Sequence, residues 1–388
     1  MRFRKLDDMD LAGKRVIVRA DLNVPLDESE DIADDNRIVQ ALPTIKRIIE
    51  KGARQIVLMS HLGRPERKNV SELRLDPVAA RLSELLDMHV TKLDDCVDIS
   101  IPDAKIVLLE NLRFHPEEKE NYEFFAKKLA SYADVYVNDA FGTSHRAHAS
   151  VAKITEYLPS CAGLLLEKEL RMLGDAIKSP ERPFIAIIGG AKISDKINLI
   201  NNLLKKVDRL LLGGAMIFTF YKAQGHNIGN SLYEEGNLGI AKLLLHNEKL
   251  VLPEDVVAAK EKKQGAEKKT VPVDKIPDDW IGLDIGNASV ARFKQELGKA
   301  KTVVWNGPLG LFEIDDFAVG TEQVAKFLAG LKAKVIIGGG DSASAIKKLG
   351  LSDKVTHIST GGGASLAMLE GKTLPAVQAL EDNLKRFP

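Results

Sequence analysis

The chain is expected to be an α/β protein of two lobes, each a parallel sheet flanked by helices. Three observations carry that expectation. With 388 residues, 45% of them hydrophobic, it exceeds the ~250–300 residues at which a single core stops growing. Short Val-, Ile- and Leu-rich runs alternate with helical patterns throughout, as in strands buried on both faces between crossover helices. The segment GLLLEKELRMLGDAI at 163–177 reads as one amphipathic helix, stopped by the prolines of SPERP, and separates halves whose strand-end loops differ in kind.

Strands are expected at 15–19, 54–59, 105–109, 134–138, 184–188, 208–213, 302–305, 333–337 and 355–358. The first lobe is assigned to 1–170, the linking helix to 163–177 and the second lobe to 178–371. The charge run KEKKQGAEKK at 260–269 reads as a solvated loop. Lys plus Arg equals Asp plus Glu at 55 each, so no global charge draws the chain to nucleic acid or membrane, and any electropositive site must be local. No apolar run approaches the ~20 residues of a membrane span, and MRFRKLDDMDLAGKRV lacks a secretory h-region; a cytoplasmic location is expected. Cys96 and Cys161 sit in no metal-ligand spacing and read as packing residues.

In the first half, three apolar strands run into loops carrying arginine or histidine: IVLMSHLGRP with His61, Leu62, Gly63 and Arg64, IVLLENLRFHPEE with Arg113, and VYVNDAFGTSHRAH with His145, Arg146 and His148. Loops after parallel strands share one edge of the sheet, where α/β folds bind ligands, so these cations should converge on an anion. VIVRADLNVP ends another strand with Asp21 and Asn23, both able to bond ligand hydroxyls. Arg37 opens the helix NRIVQALPTIKRIIEKG, where the helix dipole favours an anion instead. His145 and His148 have a spacing seen in metal sites, but with no third ligand evident, phosphate contact is preferred to zinc.

The second half uses glycine. FIAIIGGAKISDKINLI puts Gly189 and Gly190 at a strand end, Ser194 at a plausible helix N-cap, and Lys192 and Lys196 beside it. A cation is disfavoured at a helix start by ~0.3–1 kcal/mol, a balance that bound phosphate reverses. KVIIGGGDSASAIKKL runs through Gly338, Gly339 and Gly340 into a helix, with Ser342 in it and Asp341 either as an N-cap or as a carboxylate for Mg²⁺ in a nucleotide complex. VTHISTGGGASLAMLEG repeats the device with Gly361, Gly362 and Gly363, and no acidic side chain neutralises that helix start. In VVWNGPLGLFE, Asn306 lies in a turn after a strand, and Glu313 is either a ribose-binding group or an exposed charge.

These segments, RADLNVP, SHLGRP, ENLRFHPEE, NDAFGTSHRAHAS, GGAKISDKI, WNGPLGLFE, GGGDSASA and STGGGASL, occur in that order across nearly the whole chain, which closely resembles the phosphoglycerate kinase family. The resemblance implies two Rossmann-like lobes joined by a helix hinge, with the C-terminal tail, 372–388, packed back on the first. It implies that Asp21, Asn23, Arg37, His61, Leu62, Gly63, Arg64, Arg113 and Arg146 bind 3-phosphoglycerate or 1,3-bisphosphoglycerate. Lys196, Asn306, Glu313, Gly339, Gly340, Asp341 and Ser342 would bind ADP or ATP, with Asp341 taking Mg²⁺. Arg37, Lys192 and the helix start at Gly361, Gly362 and Gly363 would stabilise the transferring group. Departures are mild: Ala20 and Leu22 replace a usual Val and Phe, Ala367 replaces a usual glutamate, and DESEDIADDN lacks a frequent glycine.

The implied reaction, in glycolysis, moves phosphoryl reversibly between a carboxylate oxygen and the β-phosphate of ADP. That carboxylate is already ionised, so no general base is needed, and catalysis should rest on positioning and charge stabilisation. With the two ligands on different lobes, transfer implies lobe closure that excludes water. A monomer is the family expectation. A nicotinamide oxidoreductase is the first alternative, since Gly338, Gly340 and Ala343 fit G-x-G-x-x-A, but no ribose-binding acid follows in HISTGGGA. A non-enzymatic polyanion-binding module is the second, disfavoured by neutral net charge and the glycine-rich loops.

Overall fold

The computed structural model describes residues 2–65 and 70–388. The chain divides into two compact units, Met1–Arg171 with Thr373–Pro388, and Met172–Lys372. The first is built on β1 (Arg15–Arg19), β2 (Gln55–Met59), β3 (Val90–Lys92), β4 (Ile106–Leu108), β5 (Val135–Asn138) and β6 (Ser160–Ala162), ordered β3-β4-β2-β1-β5-β6. Every pairing is parallel. Successive residues of a strand face opposite sides of a sheet, and both sides are buried here. Val16, Val18, Ile56 and Leu58 pack with Ile38, Ile45 and Ile48 of helix Asn36–Glu50, whereas Ile17, Val57 and Tyr136 pack with Phe125 and Leu129 of helix Glu123–Ala130. The two-sided burial explains why these strands read as unbroken apolar runs.

The last helix, Pro375–Arg386, belongs to this first unit. Its Asn383, 2% exposed, accepts from Ser160 N at 2.9 Å and donates to the carbonyls of Thr155 and Leu158. One side chain thereby satisfies three backbone groups at the edge strand β6.

The second unit carries β7 (Phe184–Ile188), β8 (Arg209–Leu212), β9 (Leu250–Val251), β10 (Asp255–Ala259), β11 (Lys268–Pro272), β12 (Ile281–Ile285), β13 (Thr302–Asn306), β14 (Lys334–Gly338) and β15 (His357–Ile358). Six of them form a parallel sheet, β15-β14-β13-β7-β8-β9. Ile185, Ile187, Val303, Trp305, Val335 and Ile337 fill one core face with Phe293, Val324 and Leu328. Strand order reverses between β7 and β13 here and between β1 and β5 in the first unit, which opens a crevice beyond those strand ends.

The remaining three strands make an antiparallel sheet, β11-β10-β12, that the apolar patterns did not predict. β11 is KKTVP and mostly exposed, so it owes its extended form to pairing with β10 rather than to burial. The run at 260–269 is accordingly a loop only to Glu267; Lys268 and Lys269 begin β11. Among the described residues no helix is long and apolar enough to cross a membrane.

The helix expected at 163–177 is Leu164–Lys178. Its first turn is held by Asp139, whose Oδ1 accepts from Leu165 N at 2.9 Å and Leu166 N at 3.2 Å. A Cβ on Gly163 would lie 2.2 Å from that oxygen, so glycine is what lets the carboxylate approach. Burial of Asp139, 1% exposed, pushes its pKa up to about 7 in spite of those donors. The folded state therefore holds this proton more tightly than the unfolded chain, and the stability it contributes is full below the ordinary carboxyl pKa and lost as pH rises to about 7. Asp139→Asn is expected to remove that dependence. Its urea midpoint should rise relative to that of the unaltered protein from about pH 5 to about pH 8; a constant offset would refute the assignment.

Candidate active site

At the carboxyl edge of the first sheet, β1 runs on into Asp21 and Asn23. Asn23 Oδ1 accepts from Gly63 N at 2.8 Å, tying this loop to the one after β2. Arg113, after β4, donates through Nη1 to Gly63 O at 2.7 Å. Arg37, in the first turn of its helix, is ion-paired with the buried Asp21. The loop after β5 closes on that pair: a Cβ on Gly142 would lie 2.1 Å from Asp21 Oδ2 and 3.4 Å from an Arg37 nitrogen. Arg146 lies on the same loop, exposed, with Nε donating to His145 Nε2 at 3.0 Å. Asp21, Asn23, Arg37, Gly63, Arg113 and Arg146 are thus gathered by four separate loops and a helix start. Arg64 follows Gly63 and is exposed. Leu62 is different in kind, because its side chain is buried in the core and only its backbone faces polar groups, its carbonyl accepting from Asn111 Nδ2.

Behind this layer sits a side chain that the motif pattern did not single out. Arg19, the last residue of β1, is 0% exposed. Its Nε donates to Ser150 Oγ at 2.9 Å, and Ser150 in turn donates to the fully buried Glu118 at 2.6 Å. Arg19 Nη2 lies 3.0 Å from His61 Nδ1. A guanidinium cannot accept, so His61 Nδ1 does, and the ring proton is left on Nε2 as a donor. Burial first, then Arg19 and Arg113, holds His61 well below the ordinary histidine pKa. Burial and Arg19 push His148 down to about 3, and burial also lowers His145. Arg113, by burial and the field of Arg19 and Arg146, comes down to about 10 and stays charged at neutral pH. Guanidinium groups outnumber carboxylates here, the imidazoles are neutral, and Asp21 Oδ1 and Arg113 Nε have no partner among the described residues. The arrangement suits an anion that also carries a hydroxyl.

In the second unit the loops after β7, β13, β14 and β15 meet at the corresponding edge. Lys196 Nζ donates to Asn306 Oδ1 at 2.7 Å, and burial lowers its pKa against the pull of Asp195, Asp341 and Glu370. Gly307 N donates to the buried Ser342 Oγ at 2.6 Å. Gly339, at φ +89°, is the N-cap of helix Gly340–Lys348, and a Cβ there would lie 3.0 Å from Asn306 Nδ2. The start of helix Gly362–Leu369 adjoins it, a Cβ on Gly362 lying 3.4 Å from Gly340 N. Gly361, the N-cap of that helix, and the exposed Gly363 complete a first turn without acidic residues. Lys192 is exposed on the loop after β7. A cleft of about 240 Å³ opens beside this cluster, with Glu313 and Asp341 on its rim and Phe218, Ile281, Leu283, Leu309 and Leu311 as apolar wall. Such a cleft can take a flat heterocycle while the glycine amides take phosphates.

Two expectations need correction. Ser194 caps no helix, because helix Ile197–Leu204 begins after Lys196, and both Ser194 N and Oγ bond Glu234 instead. Asp341 is not an N-cap either; Gly339 holds that position, and Asp341 is exposed within the first turn. Among residues passed over, Arg19 carried a legible signal as a charge ending an apolar run, whereas Ser150, Glu118 and Gly142 look ordinary in sequence.

Comparison with known proteins is consistent along the whole chain. The family model for phosphoglycerate kinase matches residues 6–372. Phosphoglycerate kinases of Prosthecochloris aestuarii and Picosynechococcus sp. are 53% and 55% identical, over 98% and 97% of this chain and 100% and 98% of theirs. The solved phosphoglycerate kinase of Coxiella burnetii aligns with a TM-score of 0.90 at 41% identity, over 98% of this chain and 99% of that one. That of Pyrococcus horikoshii OT3 aligns at 0.85 and 32%, over 99% and 100%.

The tightest backbone approach in the second cluster is between Gly189 and the turn after β13. A Cβ on Gly189 would lie 1.8 Å from Pro308 O and 2.6 Å from Gly307 O, and backbone cannot swing aside as a side chain can. Gly189→Ala is expected to destabilise the protein by ~1–3 kcal/mol, as overpacking does, read as a lower urea midpoint at unchanged slope. A midpoint equal to that of the unaltered protein would mean that this contact relaxes freely.

Proposed function

The chain belongs to the phosphoglycerate kinase family, and from that premise we propose which of its residues perform the reaction. The enzyme moves a phosphoryl group reversibly between 1,3-bisphosphoglycerate and ADP, giving 3-phosphoglycerate and ATP, in glycolysis. The triose is held by Asp21, Asn23, Arg37, His61, Gly63, Arg64, Arg113 and Arg146, with Leu62 contributing backbone only. One observation carries this assignment: Arg37 is paired with Asp21 and Arg113 lies within the fields of Asp21 and Arg146, while His61, His145 and His148 are all held neutral. Guanidinium groups match carboxylate and phosphate bidentately, Asp21 and Asn23 can take the hydroxyl, and His61 Nε2–H is a neutral donor.

ADP or ATP occupies the second unit, its base against the apolar cleft, its ribose near Glu313, and its phosphates on Lys196, Asn306, Gly339, Gly340 and Ser342. Support comes from the partly buried Lys196, which gives up hydration that a phosphate would replace, and from the adjoining helix starts with bare amides. Asp341 fits Mg²⁺ in a nucleotide complex, since Mg²⁺ needs only one or two carboxylates besides phosphates and water, and Asp341 is an exposed carboxylate at the cleft rim. When bound, Mg²⁺ supplies charge neutralisation on the phosphates. The protein works as a cytoplasmic monomer on these small molecules, and the units approach each other during turnover.

Chemistry then asks little of acids and bases. The acceptor carboxylate is ionised at neutral pH, so no residue has to remove a proton. Arg37, Lys192 and the amides of Gly361, Gly362 and Gly363 meet the charge that spreads over the phosphoryl oxygens in a loose transition state. Interactions made only in that state act on turnover rather than on affinity. Lys192→Ala and Arg37→Ala are therefore expected to lower kcat by ~10²–10³, far more than they raise KM, in a coupled assay consuming ATP with 3-phosphoglycerate as acceptor. Losses confined to KM would overturn both assignments.

A further inference from the structure

We propose that Asp95, Cys96 and His115, in the first unit, form a binding site for one thiophilic divalent cation of the zinc type. None of these residues takes part in the assignments above. Asp95 and Cys96 are adjacent and His115 follows Asp95 by 20 residues in sequence, yet one donor atom from each falls within 4.8 Å of the others, the only such three-residue group among the described residues. One point therefore lies within about 2.8 Å of all three donors, and small side-chain rotations reduce that to the ~2.0–2.3 Å of zinc bonds to oxygen, nitrogen and sulfur.

The surroundings already hold the donors in place. His115 Nε2 lies 2.6 Å from Asp95 Oδ1, and the imidazole ring packs against Phe125 with centroids 5.5 Å apart. Cys96 N donates to the same Asp95 oxygen at 2.6 Å. The Asp95 carbonyl accepts from Glu110 N at 3.3 Å, joining the loop after β3 to the segment after β4 that leads to His115. Cys96 is 0% exposed, but the side chains of His115 and Asp95 are 27% and 48% exposed, so an ion can enter from solvent.

Charge and donor type select the cation. A thiolate and a carboxylate cancel the two positive charges, and a neutral imidazole adds none, so the filled site is neutral and costs little to bury. Binding breaks the hydrogen bond between His115 Nε2 and Asp95 Oδ1 and releases the Cys96 thiol proton to solvent; the imidazole exchanges its Nε2 proton for one on Nδ1 through solvent, so that Nε2 gives its lone pair to the metal. Sulfur and nitrogen donors favour zinc or cobalt over magnesium or calcium, and three protein ligands leave a fourth position for water. The bound ion would clamp the loop after β3 to the turn that bears Arg113.

Cobalt(II) is the probe, because its bond to thiolate gives a near-ultraviolet charge-transfer band. Titration of the metal-free full-length protein should develop that band with one equivalent, and one equivalent of zinc should abolish it. Cys96→Ser is expected to lose the band, Cys161→Ser to keep it, and His115→Ala to weaken cobalt binding at least about tenfold. His115 is partly exposed, so its variant retains the test should Cys96→Ser fold poorly. No band in the unaltered protein, or a band that survives in folded Cys96→Ser or is unweakened in His115→Ala, overturns the proposal.

Discussion

A guanidinium with no exposed surface ends the central strand of the first unit, and the arginine-lined loops are organised around the need to keep it there. Removing a charge from water costs several kcal/mol unless hydrogen bonds and opposite charge replace the hydration. Arg19 meets that requirement through Ser150, behind which lies the buried carboxylate of Glu118. The same cation fixes the tautomer of His61 and, with burial, keeps His61, His148 and Arg113 at lowered pKa. His148 Nδ1 lies 3.7 Å from Glu118, but an imidazole pushed down to about 3 is neutral at physiological pH, so that contact is no ion pair. Glu118 is thus hydrogen-bonded to Ser150 behind Arg19, and its field only partly offsets the burial and the neighbouring guanidinium groups that lower the pKa of Arg113.

The second unit answers a related demand with different means. Here the groups at the sheet edge are peptide amides at helix starts, with Lys196 the nearest partly buried cation. Amides lose little by being bare at a helix N-terminus, since those N–H groups have no intrahelical partner in any case, and they attract phosphate without the desolvation cost of a buried charge. Close approach needs glycine: Gly307, at φ +92°, has Gly189 O 2.3 Å from where its Cβ would stand. Strand reversal between β7 and β13 brings those two glycines together, so topology and residue choice serve one crevice.

How far this was legible in sequence follows from where the apolar signal lives. Strands buried on both faces, such as β1, β2, β5, β7 and β13, announce themselves, and the long helix Leu164–Lys178 was visible to within a residue at either end. Strands β3 (VTK) and β6 (SCA), unlike the equally short β4 (IVL), carry no apolar run that rises above their surroundings, and β9 was not expected either. The β11-β10-β12 sheet was hidden because β11 is exposed lysine-rich chain held by its neighbour, a tertiary effect with no local trace. Site residues on glycine- and arginine-bearing loops were legible because their types are unusual where they stand. Ser150 and Glu118 were not, since an ordinary serine and glutamate acquire meaning only from the arginine that the fold brings to them. Cys96 and His115 failed for the same reason, having no metal-ligand spacing along the chain while sharing one corner of the fold with Asp95.

The pattern of titration bears on the chemistry itself. An enzyme that moves protons keeps a group poised near neutrality at the reacting atoms. In the first unit the three imidazoles near the arginines are all driven below their ordinary value, and Arg113 remains charged at about 10. The carboxyls raised to about 7, Asp139 and Asp284, are held by backbone N–H groups: Asp139 by Leu165 and Leu166, Asp284 by Gly320 and Ile285. Both serve at the first turns of helices, Leu164–Lys178 and Val319–Ala329, so groups that titrate near neutrality act on architecture. The arginine-lined loops therefore hold nearly constant charge around neutral pH. Constant positive charge against fixed dipoles is what transfer to an already ionised carboxylate requires, and a poised imidazole there would only make the field depend on pH.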